Sequence, residues 1–306
     1  MNITETLKQL CTDSLIYSQE PMSKHTYIKV GGVAEYYIQA KNTDDVERIV
    51  QFAYTHHIPL TLIGKGANVI ISDNGLQGIV LNLDFLNEIR IENKDIIAGS
   101  GATIIDVSRS ALANGLSGLE FACGIPGSTG GAVFMNAGAY GGEVSDVLIE
   151  VSALTMKGER ITLTPSDFQF AYRSSVFAKQ RMIILEARFR LLDGKKLDIQ
   201  EKMNEFTALR ESKQPLEYPS CGSVFKRPPG HFAGKLIQDS GLQGLTIGGA
   251  QVSTKHAGFM VNVNEATATD YIELIRKVQG IVNEKFKVNL EREVQIIGED
   301  DTTERG

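Results

Sequence analysis

Between Gly124 and Gly142 the chain reads GIPGSTGGAVFMNAGAYGG, with seven of its 30 glycines interleaved with Ser128, Thr129, Asn136 and Tyr140. Glycine has no Cβ and reaches positive φ, so such a run can aim several backbone N–H groups at an anion such as a dinucleotide pyrophosphate. A set of tight turns between strands is the alternative. A flexible linker is not, because Ile125, Val133, Phe134 and Met135 are too apolar to stay solvated. Two shorter runs are further candidate phosphate contacts: GKGAN, from Gly64 to Asn68, at a strand-to-strand turn, and GSGA, from Gly99 to Ala102, between a strand and a helix. The dinucleotide fingerprint G-x-G-x-x-G is missing, because Ile104 stands where its third glycine belongs and no acidic residue follows at the end of a second strand. Short glycine loops spread from Gly64 to Gly142 suit an extended dinucleotide lying across the ends of a mixed sheet.

Other chemistries are disfavoured. Cys11, Cys123 and Cys221 are widely spaced with no C-x-x-C pair, so neither a disulfide framework nor a zinc site is indicated. His56 and His57 are adjacent and would point to different sides of a helix, so no metal is expected. The formal net charge of -6 argues against nucleic-acid binding. Yet from Lys202 to Lys255 seven basic residues (Lys202, Arg210, Lys213, Lys226, Arg227, Lys235, Lys255) face four acids (Glu205, Glu211, Glu217, Asp239). A cationic stretch inside an acidic chain reads as surface scatter or as a pocket for a small anion carrying phosphate or carboxylate groups.

The elements that must position these residues follow from periodicity. Asp44 to His57 reads as an amphipathic helix on Val46, Ile49, Val50 and Ala53, with Asn42, Thr43 and Asp44 as caps. Leu60–Gly64, Val69–Ser72, Ile79–Leu83 and Ile96–Gly99 read as strands, and Ile104–Asn114 as a second amphipathic helix. Val151–Met156, Arg160–Leu163 and Met182–Leu192 are strands bounded by Lys157-Gly158 and Asp193-Gly194 turns. Asp198–Ser212 is a charged helix, and QPLEYPSCG after it breaks regular structure. Beyond lie a strand at Ser223–Lys226, a helix near Ala233–Ser240, a strand at His256–Val263, a long helix over Thr267–Phe286 and a last strand at Arg292–Ile297. No run of about 18 apolar residues occurs and MNITETLKQL has no signal-peptide character, so a soluble cytoplasmic protein is expected.

TYIKVGG, GKGANVIISD, GLEFACGIPGSTGGAVFMNAGAYGGE, YRSSVF, RESKQPLEYPSCGSVFKRPPGHFAGKLI, STKHAGFMVN and LEREVQIIG occur in an order that resembles the UDP-N-acetylenolpyruvoylglucosamine reductase (MurB) family over nearly the full length. The resemblance implies an α+β fold: an FAD-binding domain of the vanillyl-alcohol-oxidase (PCMH) type over residues 1–200, in lobes of about 1–80 and 81–200, and a separate α+β substrate-binding domain over 201–288. Residues 289–306 would return as a strand and tail to the active site. It implies non-covalent FAD, NADPH as co-substrate, a UDP-sugar as the small-molecule substrate, and no nucleic acid, membrane or obligate protein partner. NADPH would reduce the flavin, and hydride would pass from flavin N5 to the enolpyruvyl group of UDP-N-acetylglucosamine enolpyruvate, giving UDP-N-acetylmuramate for peptidoglycan.

Residue by residue, the resemblance makes Ser223 the donor of a proton to the carbon next to the carboxylate. It sets Arg173 against that carboxylate. In LEREV, strand alternation puts Glu291 and Glu293 on one face, and the residues alone do not choose between them; the family pattern selects Glu293, as a partner that orients Arg173 or stabilises the aci-carboxylate. Lys213, Lys226 and Arg227 match substrate-contacting positions. The flavin is assigned to Gly64, Lys65, Gly66, Ala67, Asn68 and Val69, to Gly124, Ile125, Pro126, Gly127 and Ser128, to Gly131, Ala132, Asn136 and Gly138, and to Ile184 near the adenine. Three positions depart from the pattern: Ala67 lacks a hydroxyl donor usual there, Thr129 replaces an aliphatic residue and Arg227 an asparagine. Only SSVFAKQR separates Arg173 from Met182, which leaves no room for the tyrosine-bearing loop of one subclass and implies a more open site. An FAD oxidase of the same fold and a nucleotide-sensing module are the competing readings; the first is disfavoured by the absence of a flavin-linking histidine in Gly64–Val69, the second by Ser223, Arg173 and Glu293 together.

Overall fold

The structure is a computed structural model describing residues 3–298, so the end of the tail expected after residue 289 lies outside the described residues. Its helices are α1 (Ile3–Leu10), α2 (Thr43–Thr55), α3 (Ile104–Ala113), α4 (Thr129–Phe134), α5 (Val176–Lys179), α6 (Lys196–Lys213), α7 (Ala233–Asp239) and α8 (Ala268–Phe286). The chain divides into two compact units. One holds the chain up to Ser18, Tyr36–Lys65 and Gly78–Arg210; the other holds Gln19–Glu35, Gly66–Gln77 and the chain from Glu211 on. These units interleave along the chain, whereas the expectation was a linear division at residue 200. GKGAN is split after Lys65, because the strand Val69–Ile71 that follows it pairs in parallel with Gln295–Ile297.

The first unit is built around two apolar cores. In one, Val46, Ile49, Val50 and Ala53 of α2 pack on Ile38, Ile79 and Leu81. The Asn42 side chain accepts from the Asp45 N–H at 2.8 Å and caps α2, a device worth about 1 kcal/mol. Leu60–Ile63 pairs in parallel with Leu76–Asn82. The other core lies against an antiparallel sheet ordered Arg160–Leu163, Leu148–Leu154, Ile183–Arg190, Asp95–Gly99, Ile89–Glu92. Val107 and Ala111 of α3 and Ala132 and Val133 of α4 are buried in it. At the start of its strand Asp95–Gly99 the Asp95 carboxylate accepts from Arg190 Nε at 2.8 Å and Arg188 Nε at 2.7 Å, and the two guanidinium groups, Arg190 foremost, hold that carboxyl down at about 2.

The second unit has an antiparallel sheet ordered Ser220–Ser223, Phe259–Asn262, Ala250–Val252, Thr246–Ile247. Helix α8 buries Tyr271, Leu274, Ile275, Val278 and Val282 in its core, the stripe expected from 3.6-residue periodicity. Thr267 and Asp270 form a capping box at the start of α8. Asp73 adds a second cap from far along the chain, its two oxygens accepting from the Ala268 and Thr269 N–H groups at 2.9 Å each. Four of the first helix-starting N–H groups are thus satisfied by side chains.

Candidate active site

In the first unit the separate glycine loops come together. The Gly124–Gly142 run, expected to be loop throughout, contains the short helix α4, because Ser128 supplies a cap: its Oγ accepts from the Gly131 N–H at 3.2 Å. A bridge between Thr103 and Ser128 ties GSGA to this run, with Thr129 N donating to Ala102 O at 2.7 Å and Gly130 N to Ser100 O at 2.8 Å. Thr129 is fully buried and its hydroxyl also donates to Ala102 O, at 3.0 Å, so the hydroxyl that replaces an aliphatic residue is satisfied. Gly64 lies so close to the cap that a Cβ there would meet Ser128 Oγ at 2.5 Å. Asn82 Nδ2 holds the carbonyls of Ile63 and Gly64 at 3.3 and 3.2 Å, and Lys65 Nζ pairs with Asp84 Oδ2 at 3.2 Å.

Arg173 is carried to the other end of the same run. Ala171 and Ser174 exchange both backbone hydrogen bonds at 3.0 Å, forming a tight turn in which Arg173 has φ +54°. A non-glycine residue adopts that left-handed conformation at a cost. The guanidinium is oriented from within, Nη2 donating to Gly138 O at 3.2 Å. Asn136, also at positive φ, accepts from Ser145 N at 3.0 Å through Oδ1. Ala132 and Ile184, both expected at the cofactor, are 5% and 3% exposed and belong to the apolar core, so their side chains have little surface left exposed.

Two polar atoms of this unit are buried without a hydrogen-bond partner: Ser100 Oγ and Asp84 Oδ1. An unsatisfied buried hydroxyl or carboxylate oxygen costs about 1–3 kcal/mol. Their proximity in sequence to the loops that pack on Ser128 fits a bound group rich in hydroxyl, amine and phosphate functions. Glycine loops packed too closely for a Cβ, together with orphaned polar atoms, fit FAD. GSGA is a candidate phosphate contact by sequence, but Ser100 itself stands out only through its place between two glycines after a buried strand.

The second unit assembles the other half of the candidate residues through the backbone. Gly66, at φ +67°, has no room for a side chain, since a Cβ would fall 2.2 Å from His25 O. Asn68 Nδ2 donates to Glu293 O at 3.2 Å, and Gln295 N donates to Asn68 O at 3.1 Å. Glu293 N in turn donates to Val224 O at 2.8 Å, and Lys226 N to Glu291 O at 2.9 Å. Asn68, Ser223 and Glu293 are therefore neighbours along paired segments. The expected last strand is shorter, Gln295–Ile297, with Arg292 forming an isolated bridge to Phe225.

Ser223 is exposed and follows Gly222, whose φ is +78°. Glu293 is half-buried, whereas the Glu291 carboxylate is 72% exposed and is ion-paired with Lys226. That separates the two acids: Glu291 is engaged with Lys226, a residue expected to reach substrate. Arg227 stacks on exposed Phe232, its guanidinium carbon 4.0 Å from the ring centroid. Lys213 ends α6, and its positive charge adds to burial in pushing the His256 ring below its usual histidine range. Cys221 is 1% exposed, and burial pushes its thiol up to about 12, which leaves it inert beside Ser223. Among the described residues no group of three His, Cys, Asp or Glu is placed to hold a metal.

Comparison with known proteins places this architecture. Residues 34–164 match the family described as FAD binding domain, and residues 214–297 match UDP-N-acetylenolpyruvoylglucosamine reductase, C-terminal domain. The UDP-N-acetylenolpyruvoylglucosamine reductase of Staphylococcus saprophyticus is 56% identical over 298 residues, covering 97% of each chain. The chain belongs to the UDP-N-acetylenolpyruvoylglucosamine reductase family. Reductase 2 of Bacillus cereus is 56% identical over 303 residues, with 98% of this chain and 99% of that one covered. The crystal structure of the reductase from Thermus caldophilus superposes with a TM-score of 0.79 at 32% identity, covering 92% of this chain and 98% of that one. Both halves of the reductase family are therefore present, the FAD-binding part and the C-terminal domain that carries Ser223 and Glu293.

Proposed function

We propose that this chain reduces the enolpyruvyl group of UDP-N-acetylglucosamine enolpyruvate to UDP-N-acetylmuramate with NADPH, using Ser223, Arg173 and Glu293. Membership of the reductase family carries the reaction; the roles of the residues are our reading. FAD, when bound, carries reducing equivalents from NADPH to the substrate as hydride. Gly64–Val69, Gly124–Ser128, Gly131, Asn136 and Gly138 would hold it, joined by Ser100 and Asp84.

The single observation that supports the residue roles best is the backbone bond from Glu293 N to Val224 O, which puts half-buried Glu293 on the segment paired with the one that carries exposed Ser223. Ser223 gives its proton to the carbon next to the substrate carboxylate once hydride has reached the other vinyl carbon, and water restores the hydroxyl. Arg173, oriented by Gly138 O, offsets the negative charge that builds on the carboxylate as the double bond is reduced. Glu293 orients a cationic partner or steadies the carboxylate during that step. Lys213, Lys226 and Arg227 receive the diphosphate and carboxylate charges of the UDP-sugar, with Lys226 exchanging Glu291 for substrate. A soluble nucleotide-sugar substrate and a nicotinamide co-substrate favour a cytoplasmic setting, and among the described residues no helix is long and apolar enough to cross a membrane.

The test separates the two halves of the cycle. Ser223→Ala should leave the bleaching of flavin by NADPH intact while flavin reoxidation by substrate, and product formation, are lost. If both halves fail together in a folded, flavin-loaded variant, Ser223 is structural. Peroxide formation without substrate-dependent NADPH loss would point to an oxidase instead.

A further inference from the structure

The turn between the strands Ala250–Val252 and Phe259–Asn262 contains a histidine that none of the chemistry above uses. The Gly258 N–H donates to His256 Nδ1 at 3.1 Å. Because that N–H is the donor, Nδ1 is an acceptor, so the ring is neutral with its proton on Nε2. Ser253 Oγ closes the same turn by accepting from Lys255 N at 3.1 Å and His256 N at 3.2 Å. Phe259 N donates to His256 O at 3.0 Å, and Ser253 N to Phe259 O at 2.9 Å. The imidazole packs edge-on against Phe259, with ring centroids 5.0 Å apart and planes at 72°.

What this turn holds is the strand that bears Ser223. Gly258 O accepts from Val224 N at 3.0 Å, and Phe259 is the strand partner of Ser223. Support from within that strand is weak: its register slips between Ser220 and Ser223, and Gly222 sits at φ +78° with nothing within 4 Å of a would-be Cβ. The placement of the hydroxyl therefore depends on the strand beside it, and the start of that strand is fixed by His256.

We infer that His256 is a positioning residue for proton donation: by accepting from the Gly258 N–H, its neutral imidazole fixes the Gly258 carbonyl and the Phe259 backbone against Val224 and Ser223. The inference rests on the reading of Ser223 as the proton donor. Protonation at Nδ1 would set two donors against each other and release the turn. The surroundings oppose it, since burial pushes the ring below its usual histidine range and the positive charge of Lys213 at the end of α6 adds to the effect. On α7, Gly234 approaches the ring so closely that a Cβ there would lie 3.5 Å from His256 Cε1, and the charged side chains of that helix, Lys235 and Asp239, pair with each other. Lys255, next in the chain, donates to Glu211 O.

An asparagine offers the same acceptor without the titration. Its Oδ1 accepts from the N–H two residues on, the ordinary Asx-turn. The experiment uses FAD-loaded enzyme in stopped-flow, with NADPH reduction and reoxidation by UDP-N-acetylglucosamine enolpyruvate measured separately across pH. His256→Ala should slow reoxidation by about 10- to 100-fold while reduction stays within about twofold. His256→Asn should reoxidise within about threefold of the unaltered enzyme, and its rate should stay level on the acid side, where the unaltered enzyme declines. The inference is overturned if His256→Ala reoxidises normally, if both halves fall together, or if His256→Asn is no better than His256→Ala. Should His256→Ala fail to fold, the acid limb decides alone: its loss in His256→Asn supports the inference and its retention overturns it. Ser223→Ala, run alongside, separates the two readings. Normal reoxidation there defeats Ser223 as donor, whereas an inactive Ser223→Ala beside an unimpaired His256→Ala defeats only the role of His256.

Discussion

The glycine-rich face of the first unit and the Ser223 strand of the second are held by opposite means. On the glycine face backbone packs on backbone and side chain: a Cβ at Gly64 would strike Ser128 Oγ, and Ser100 Oγ is buried with no protein partner. On the Ser223 strand the serine proposed as proton donor is exposed, and the hydrogen bonds that place it run through the main chain of Val224, Gly258 and Glu293. Binding a large cofactor demands shape, which any added atom spoils. Donating a proton demands one small group in a defined place, which the backbone can supply while the side chain stays replaceable. Substitutions should therefore damage folding or cofactor retention on the first face, and chemistry alone on the second.

The largest effect should come from Ser223→Ala. Reoxidation by substrate should fall by about 10³-fold, the range for loss of a positioned acid. Its thermal midpoint should stay with the unaltered protein, because the replaced side chain is exposed; a marked drop in a melting curve would break the contrast. Within the second unit, a loop residue gives the opposite result. Gly66→Ala combines positive φ with a 2.2 Å clash against His25 O, and about 2–4 kcal/mol of stability should be lost, seen as a lower denaturant midpoint.

Ser100→Ala sharpens the comparison because its two readouts should move in opposite directions. Flavin-free protein should be unchanged or slightly more stable, as an unsatisfied buried hydroxyl is removed, while FAD affinity should fall by about tenfold, equivalent to one hydrogen bond. Equal FAD binding in a fluorescence titration would show that Ser100 does not touch the cofactor. The smallest effect concerns the ion pairs of Asp95 in the antiparallel sheet of the first unit. Asp95 has a folded value depressed to about 2 from an ordinary 3.8, so its pairing with Arg190 and Arg188 contributes stability that is complete above the ordinary value. That stability is lost as pH falls from about 4 through 2, and because both arginines are partly solvated it should amount to only about 1 kcal/mol. Asp95→Asn should flatten the acid limb of stability by that much in urea titrations.

Much of the local structure was legible in the chain. Asn42 before Val46, Ile49 and Val50 announces α2, and the apolar stripe of Tyr271 to Val282 announces α8, because caps and 3.6-residue periodicity are local properties. Short elements inside glycine-rich sequence were not legible: α4 lies in a run with weak helix propensity and forms because Ser128 caps it while Ala132 and Val133 reach the core. The order of motifs pointed to candidate residues of the site but not to the burial of Ala132 and Ile184, since burial depends on what packs from elsewhere. The split of GKGAN after Lys65 was invisible for the same reason. Nothing in those five residues says that the strand after them pairs with residues near the C-terminus.

By itself, then, the sequence determined the family and the glycine loops that suit a dinucleotide cofactor, because motif order and short-range spacing are written directly in residue order; the roles read for Arg173, Ser223 and Glu293 follow from the family resemblance. Tertiary structure decided which of two nearby glutamates is engaged with Lys226, that Gly138 orients Arg173, that Ser100 is buried without a partner, and that a neutral His256 braces the strand of Ser223. Each of these depends on a hydrogen bond or contact whose partner is set by long-range packing, and no local pattern encodes that partner.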